Sequence, residues 1–142
     1  MNNRSALALA LPLVLCTLAT AALLFLGAGP AQALASMRFV ATDGLDSGAC
    51  TNPANPCQTV QYAVDVANEG DIVRVAAGVY GGVQGRRAPY GYQGPAMVTQ
   101  TVYLSKTLAI RGGYTTTNNF AGPPDPEANP TTLDADGQGR VL

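Results

Sequence analysis

The chain has 142 residues, of which 47% are apolar and 12% charged, and its formal net charge is −1. This length predicts one domain at most. The charge balance leaves no basic surplus with which to bind nucleic acid or an anionic membrane surface. The absence of histidine excludes a Ser-His-Asp triad, a Cys-His pair and the usual histidine-ligated zinc site within this chain.

Residues 1–35 have the pattern of a secretory signal peptide. Arg4 precedes an apolar run over residues 6–26, which is followed by Gly, Pro and two Ala-x-Ala cleavage sites. An uncleaved anchor is the alternative, since about 20 apolar residues can span a bilayer. We expect cleavage after Ala35, so that residues 36–142 are secreted or held at the cell surface and touch the membrane only through the leader before cleavage.

Cys50 and Cys57 are the two cysteines of the predicted mature chain. An even pair in an exported chain predicts a disulfide, which would stabilise so short a loop by roughly 2–3 kcal/mol. A redox or metal-binding pair is the alternative, but it lacks further ligands. The third cysteine, Cys16, follows Leu15, where a lipidation signal would need a small residue, so we do not expect lipidation.

An amphipathic helix is predicted from Pro56 to Glu69. Asn55 is a suitable N-cap, Gln58 stands three residues later as in a capping box, and Gly70 can supply the left-handed residue beyond the C-terminus. Apolar residues recur on one face at helical spacing: Val60, Ala63, Val64 and Ala67. Such a helix must lie against an apolar surface.

Short alternating segments separated by glycine corners predict an all-β fold. The predicted strands cover 37–42, 71–75, 79–80, 98–104, 107–111, 131–133 and 140–142. Two long interruptions, 81–96 and 113–131, predict projecting loops of the kind that often carry a binding face. Lys106 is predicted to be a solvated turn residue. Because no long helix lies between the strands, a doubly wound sheet is not expected.

The segment NPCQTVQYAVDVANEGDIVRVAAGVY, residues 55–80, resembles the opening of secreted right-handed parallel β-helix proteins of the pectate-lyase-like superfamily. VYLSKTLAIRGGY and TTLDADGQGRVL resemble a second and a third coil. The resemblance implies an all-β right-handed parallel β-helix, a solenoid, with residues 36–142 forming its N-terminal cap and first coils. It does not fix an activity, because that superfamily includes lyases, hydrolases, epimerases, adhesins and surface repeat proteins.

The predicted helix is placed to cover the N-terminal end of the stack, and no equivalent follows the last predicted strand at Val141–Leu142. The open end of a solenoid exposes apolar side chains and unpaired strand edges. We therefore expect further coils, or another subunit, to cover the C-terminal end.

Four residues of the first long loop are the candidates for ligand binding: Arg86, Arg87, Tyr90 and Tyr92. An arginine can pair bidentately with the carboxylate of an acidic sugar, and a tyrosine ring can stack on a sugar face. A solvated loop in which the tyrosines pack locally is the alternative.

Two carboxylates beside glycines, Asp134 and Asp136, are the candidate ligands for Ca²⁺. An Asx-Gly turn is the favoured interpretation, because one short motif lacks the six or more oxygens that Ca²⁺ requires. The same interpretation applies to Asp43, Asp46 and Ser47. No other cofactor is predicted.

These features predict an exported β-helix module that contacts carbohydrate or acts as an adhesin, with polysaccharide as its expected partner. The alternative is the N-terminal part of a polysaccharide lyase or glycoside hydrolase whose active-site coils lie downstream. No catalytic set can be assigned within this chain, so whether the protein is an enzyme stays open.

Overall fold

A computed structural model of the protein describes residues 34–142. The predicted signal peptide, apart from its last two residues, and Cys16 therefore lie outside the described residues. Within these residues 28% belong to strands and 9% to helices, which confirms the all-β class. No helix in this part of the chain is both long and apolar enough to cross a membrane.

Residues 34–142 form seven strands and one α-helix. The strands are β1 (Met37–Val40), β2 (Ile72–Ala76), β3 (Gly78–Tyr80), β4 (Gln84–Arg87), β5 (Met97–Gln100), β6 (Ala109–Tyr114) and β7 (Thr131–Leu133). The helix, α1, covers Val60–Val66. Strands β1, β2 and β6 form a parallel sheet in that order, β3 pairs with β7 in parallel, and β4 pairs with β5 in antiparallel fashion.

The parallel strands place apolar residues directly beside one another. Val73 of β2 pairs with Ile110 of β6, and Tyr80 of β3 pairs with Leu133 of β7. Val73 and Tyr80 are buried, while Ile110 and Leu133 are half-buried and pack against the same main core. Because strand side chains alternate between faces, one face of the three-stranded sheet supplies this core.

The predicted apolar face of the helix is confirmed. Val60, Ala63, Val64 and Ala67 are all buried, and the first three belong to the main core with Val73. Burial of this stripe against the sheet gives a seven-residue helix the tertiary support that a segment so short requires.

The predicted start of the helix at Pro56 is wrong, since α1 begins at Val60 and its N-cap is Thr59 rather than Asn55. The reason is non-local. Cys57 donates its backbone N–H to the carbonyl of Phe39 and accepts from Ala41, which holds the backbone at Cys57 extended beside β1.

The end of the helix also differs from the prediction. The C-cap is Ala67, and Gly70, which does adopt a left-handed φ of 82°, belongs to the turn into β2 instead.

Lys106 is predicted to be solvated but is half-buried. Its Nζ donates to the carbonyls of Val64 at 3.1 Å and Asp65 at 2.7 Å, and also to the carbonyl of Ala67. A cation is favourable here because the last carbonyls of a helix carry a partial negative charge.

The first long loop is partly ordered into a hairpin. Gln84–Arg87, predicted as loop, forms β4 against Met97–Gln100. The predicted strand over 98–104 accordingly starts one residue earlier and ends at Gln100. Beyond it, Thr101 and Val102 donate backbone hydrogen bonds to the last residues of the chain, where a single bridge replaces the predicted strand over 140–142.

The second long interruption folds back over the other face of the three-stranded sheet. Strand β6 extends to Tyr114, and a 3-10 helix covers Thr116–Asn118. The fully buried ring of Phe120 then lies 5.1 Å from the ring of Phe39. The two phenylalanines belong to a second apolar cluster of buried residues: Phe39, Ala41, Ala76, Tyr114 and Phe120.

The predicted disulfide between Cys50 and Cys57 is confirmed. Both cysteines are buried and contribute to the main core. The cross-link fixes the segment that carries the chain from β1 to α1.

Candidate functional site

A half-open cleft of about 480 Å³ lies beside the start of α1. Four parts of the chain line it: Thr42, Gln58–Gln61, Val79–Gln84 and Thr101–Val102. Its volume falls in the range that is usual for small-molecule sites. We refer to it as the α1 cleft.

The lining of the α1 cleft carries no carboxylate, lysine or arginine. The polar side chains that line it are hydroxyls and amides: Thr42, Gln58, Thr59, Gln61, Tyr80, Gln84 and Thr101. Apolar groups stand between them: Val60, Val79, Val83 and Val102. This combination suits a ligand that offers hydroxyl groups on an apolar frame and carries no net charge.

Tyr80 is the one titratable side chain of the cleft, and its hydroxyl donates to the carbonyl of Ala76 at 3.0 Å. Burial, and secondarily the charge of Asp43, raises the pKa of Tyr80 to about 12. The phenol is therefore neutral at physiological pH, and the whole cleft is uncharged there.

The start of α1 is held in place by Asp46. Its carboxylate accepts from the backbone N–H groups of Gln58 and Thr59, both at 2.8 Å, and from the Thr59 hydroxyl at 2.7 Å. Thr59 in turn accepts from the backbone of Tyr62. Asp46, interpreted from sequence as a turn residue, therefore fixes one wall of the cleft.

Gln61, a residue of α1 that lines the cleft, ties the helix to the segment after β5. Its side-chain carbonyl accepts from the backbone N–H of Tyr103 at 2.6 Å, and its amide nitrogen donates to Asp65 at 2.8 Å. The segment after β5 is thereby fixed against α1. A rigid lining of this kind reduces the entropy that ligand binding would cost.

The four predicted ligand-binding residues lie on the β4–β5 hairpin and not in the cleft. Arg86 forms an ion pair with Asp65 of α1, and its guanidinium also donates to the side-chain carbonyl of Gln84, at 2.9 Å from Nη2. Gln84 lines the cleft, so Arg86 contacts a lining residue without lining the cleft itself.

The other three predicted residues are exposed at the hairpin. Arg87 ends β4, and Tyr90 and Tyr92 follow in the loop between the strands. The Tyr90 side chain is fully accessible. None of these three side chains lines the α1 cleft or the depression beside the disulfide loop.

The predicted Ca²⁺ candidates form a turn. The backbone N–H of Asp136 donates to the carboxylate of Asp134 at 2.8 Å, which is the hydrogen bond of an Asx-turn. Within residues 34–142 no group of three metal-ligating side chains is assembled. Asp43 and Ser47 lie on the rim of a second depression beside the disulfide loop.

Comparisons with protein-family models, with curated proteins and with solved structures found no match to this chain. The fold and the α1 cleft are therefore interpreted from their own geometry.

Proposed function

We propose that this protein is an exported module that contacts carbohydrate, that its stacked strands are the first coils of a parallel β-helix, and that a neutral glycan lies in the α1 cleft. The in-register parallel pairing of β1, β2 and β6, and of β3 with β7, supports the architecture. The disulfide supports an oxidising compartment, as expected for a secreted or cell-surface protein.

The uncharged lining of the α1 cleft carries the proposal about the ligand. Hydroxyl and amide side chains match the hydroxyls of a sugar, and the valines match its C–H faces. Arg86, the best candidate for an acidic sugar, is already paired with Asp65. A uronate would have to displace that carboxylate, so a neutral sugar is favoured.

The geometry favours binding over catalysis at this cleft. A lyase or hydrolase needs a titratable acid or base beside the scissile bond. The Tyr80 hydroxyl is buried against a backbone carbonyl, and the remaining lining groups do not titrate near neutral pH. The cap of a larger polysaccharide-degrading enzyme remains the alternative function.

We further propose that β6 and β7 are the edges on which more coils, or another subunit, are placed. Within the described residues, β6 pairs only with β2, and β7 only with β3. Leu104, in the segment before β6, and Leu142, in the segment after β7, are exposed. Such edges and apolar groups invite pairing. Light scattering during size-exclusion chromatography tests this: self-association is expected, and a cooperative, well-behaved monomer would contradict it.

An array of neutral and acidic oligosaccharides tests the carbohydrate proposal. We expect the full chain to bind neutral glycans, and Val79→Asp to abolish binding, because it places a charge in the cleft. Thr132→Asp is the matched control: Thr132 is exposed and pairs with Val79 across β3 and β7 but does not line the cleft. A folded chain that binds no glycan, or equal loss in both variants, would overturn the proposal.

A further inference from the structure

Two arginines lie side by side on the sheet face opposite the main core. Arg74 of β2 and Arg111 of β6 are direct partners in the parallel register. In-register partners point to the same face, and neighbouring strands are about 4.8 Å apart. Both guanidinium groups therefore leave the sheet from adjacent positions.

Neither arginine has an acidic partner in the described part of the chain. Within residues 34–142 the ion pairs are Arg38–Asp71 and Arg86–Asp65, and neither includes Arg74 or Arg111. Like charges on directly opposed strand positions repel one another. A bound anion would relieve this repulsion.

Arg74 is held in position by the second apolar cluster. Its guanidinium carbon lies 5.0 Å from the centre of the Tyr114 ring, and its Nη1 donates to the carbonyl of Phe120 at 2.9 Å. Its Nε is buried and has no acceptor among the described residues, so one N–H donor of the guanidinium group is unsatisfied. Arg74 is half-buried and Arg111 is exposed. An anion from solvent would therefore reach the pair from the side of Arg111.

We infer that Arg74 and Arg111 together bind an oxyanion, the sulfate or phosphate group of a small ion or of an esterified glycan. A carboxylate has two oxygens, which one guanidinium fork can occupy. A sulfate or phosphate ester offers three acceptor oxygens and so can bridge two forks. This site shares no residue with the α1 cleft and does not depend on the carbohydrate proposal.

The test is a titration of the full ¹⁵N-labelled chain with sodium sulfate, and separately with inorganic phosphate, at constant ionic strength set by chloride. We expect saturable shifts at the amides of Arg74, Arg111 and Tyr114. Arg111→Gln should weaken binding at least about tenfold, because it removes a charged hydrogen bond. Arg87→Gln, which removes the same charge from another exposed strand position, should leave binding unchanged.

Two further ligands, a sulfated disaccharide and its desulfated form, identify the source of the anion. Tighter binding of the sulfated disaccharide than of inorganic sulfate assigns the site to a glycan ester, and equal binding assigns it to a free ion. Both results support the site. Absence of saturable shifts with every oxyanion, or equal weakening in Arg111→Gln and Arg87→Gln, would overturn it.

Discussion

Arg38 and Asp71 form an ion pair in which both side chains are almost fully buried. Nη2 of Arg38 lies 2.7 Å from Oδ2 of Asp71, and the side chains are 5% and 3% exposed. The same carboxylate accepts from the backbone N–H groups of Ser36 and Asn68. Asp71 thus joins the approach to β1, the turn after α1 and the start of β2, which gives the Gly70-Asp71 dipeptide a structural role.

Asp71→Asn should destabilise the fold by about 3–5 kcal/mol, because it leaves the Arg38 guanidinium buried without its counter-ion. Urea denaturation measures the loss. Asp43→Asn is the control, since it removes an exposed carboxylate close in sequence to β1. If Asp71→Asn does not fold, the double variant Arg38→Met/Asp71→Leu should recover a folded chain. Equal stability of Asp71→Asn and Asp43→Asn would contradict this account of the ion pair.

The stability of the protein should fall on acidification through Asp71. Burial alone would raise the pKa of this carboxyl, but hydrogen bonds from Asn68, Arg38 and Ser36 together hold the pKa below its ordinary value of 3.8. A depressed pKa in the folded state stabilises the fold above pH 3.8, and that contribution is lost as the pH falls from there through the folded-state pKa.

Thermal unfolding of the wild type and of Asp71→Asn between about pH 2 and pH 6 measures this contribution. The wild type should lose stability more steeply below about pH 4, and the two curves should converge at the acid end. Parallel curves over the whole range would show that Asp71 titrates alike in the folded and unfolded chain.

Lys106→Met should destabilise the protein by about 1–2 kcal/mol, since it removes a cation from the carbonyls at the end of α1. The methionine keeps most of the apolar stem, so packing changes little. Arg87→Met, at an exposed site, should change the free energy of unfolding by less than about 0.5 kcal/mol in the same urea titration. Equal effects of the two substitutions would show that the cap contributes nothing.

Asp65→Asn should change the sugar preference more than the stability. The Arg86–Asp65 pair is 37% and 42% exposed, so its loss should cost no more than about 1 kcal/mol. The released Arg86, next to Gln84 at the cleft rim, would then be available to a uronate. We expect measurable binding of acidic oligosaccharides by Asp65→Asn and not by Asp65→Asn/Arg86→Gln. Unchanged preference in Asp65→Asn would show that Arg86 does not reach a ligand in the cleft.

The elements predicted correctly are those that depend on local pattern. The stripe of Val60, Ala63 and Val64 is buried as its spacing indicates, and the strands around Val73 and Ile110 follow from alternation. The cysteine pair was predictable because Cys50 and Cys57 are close together in sequence and are the two cysteines outside the predicted leader. None of these features required knowledge of distant contacts.

The errors have long-range causes. Cys57 is extended because it bonds to β1, and Lys106 is half-buried because it meets a helix that ends about forty residues earlier in the chain. The sequence of β4, QGRR, contains no residue that favours a strand, and the strand forms because it pairs with β5. The α1 cleft was missed because its lining is uncharged and scattered, from Thr42 to Val102, and carries no motif.

The parallel stacking of β2 on β6 is the relationship on which the whole interpretation rests, and nuclear Overhauser spectroscopy of the labelled chain tests it most directly. We predict cross-strand contacts between the backbone amides and α-protons around Val73 and Ile110, running in the same direction along both strands. Close contacts between paired α-protons, which mark an antiparallel pair, or no contacts between these strands, would contradict the architecture and the functions proposed for it.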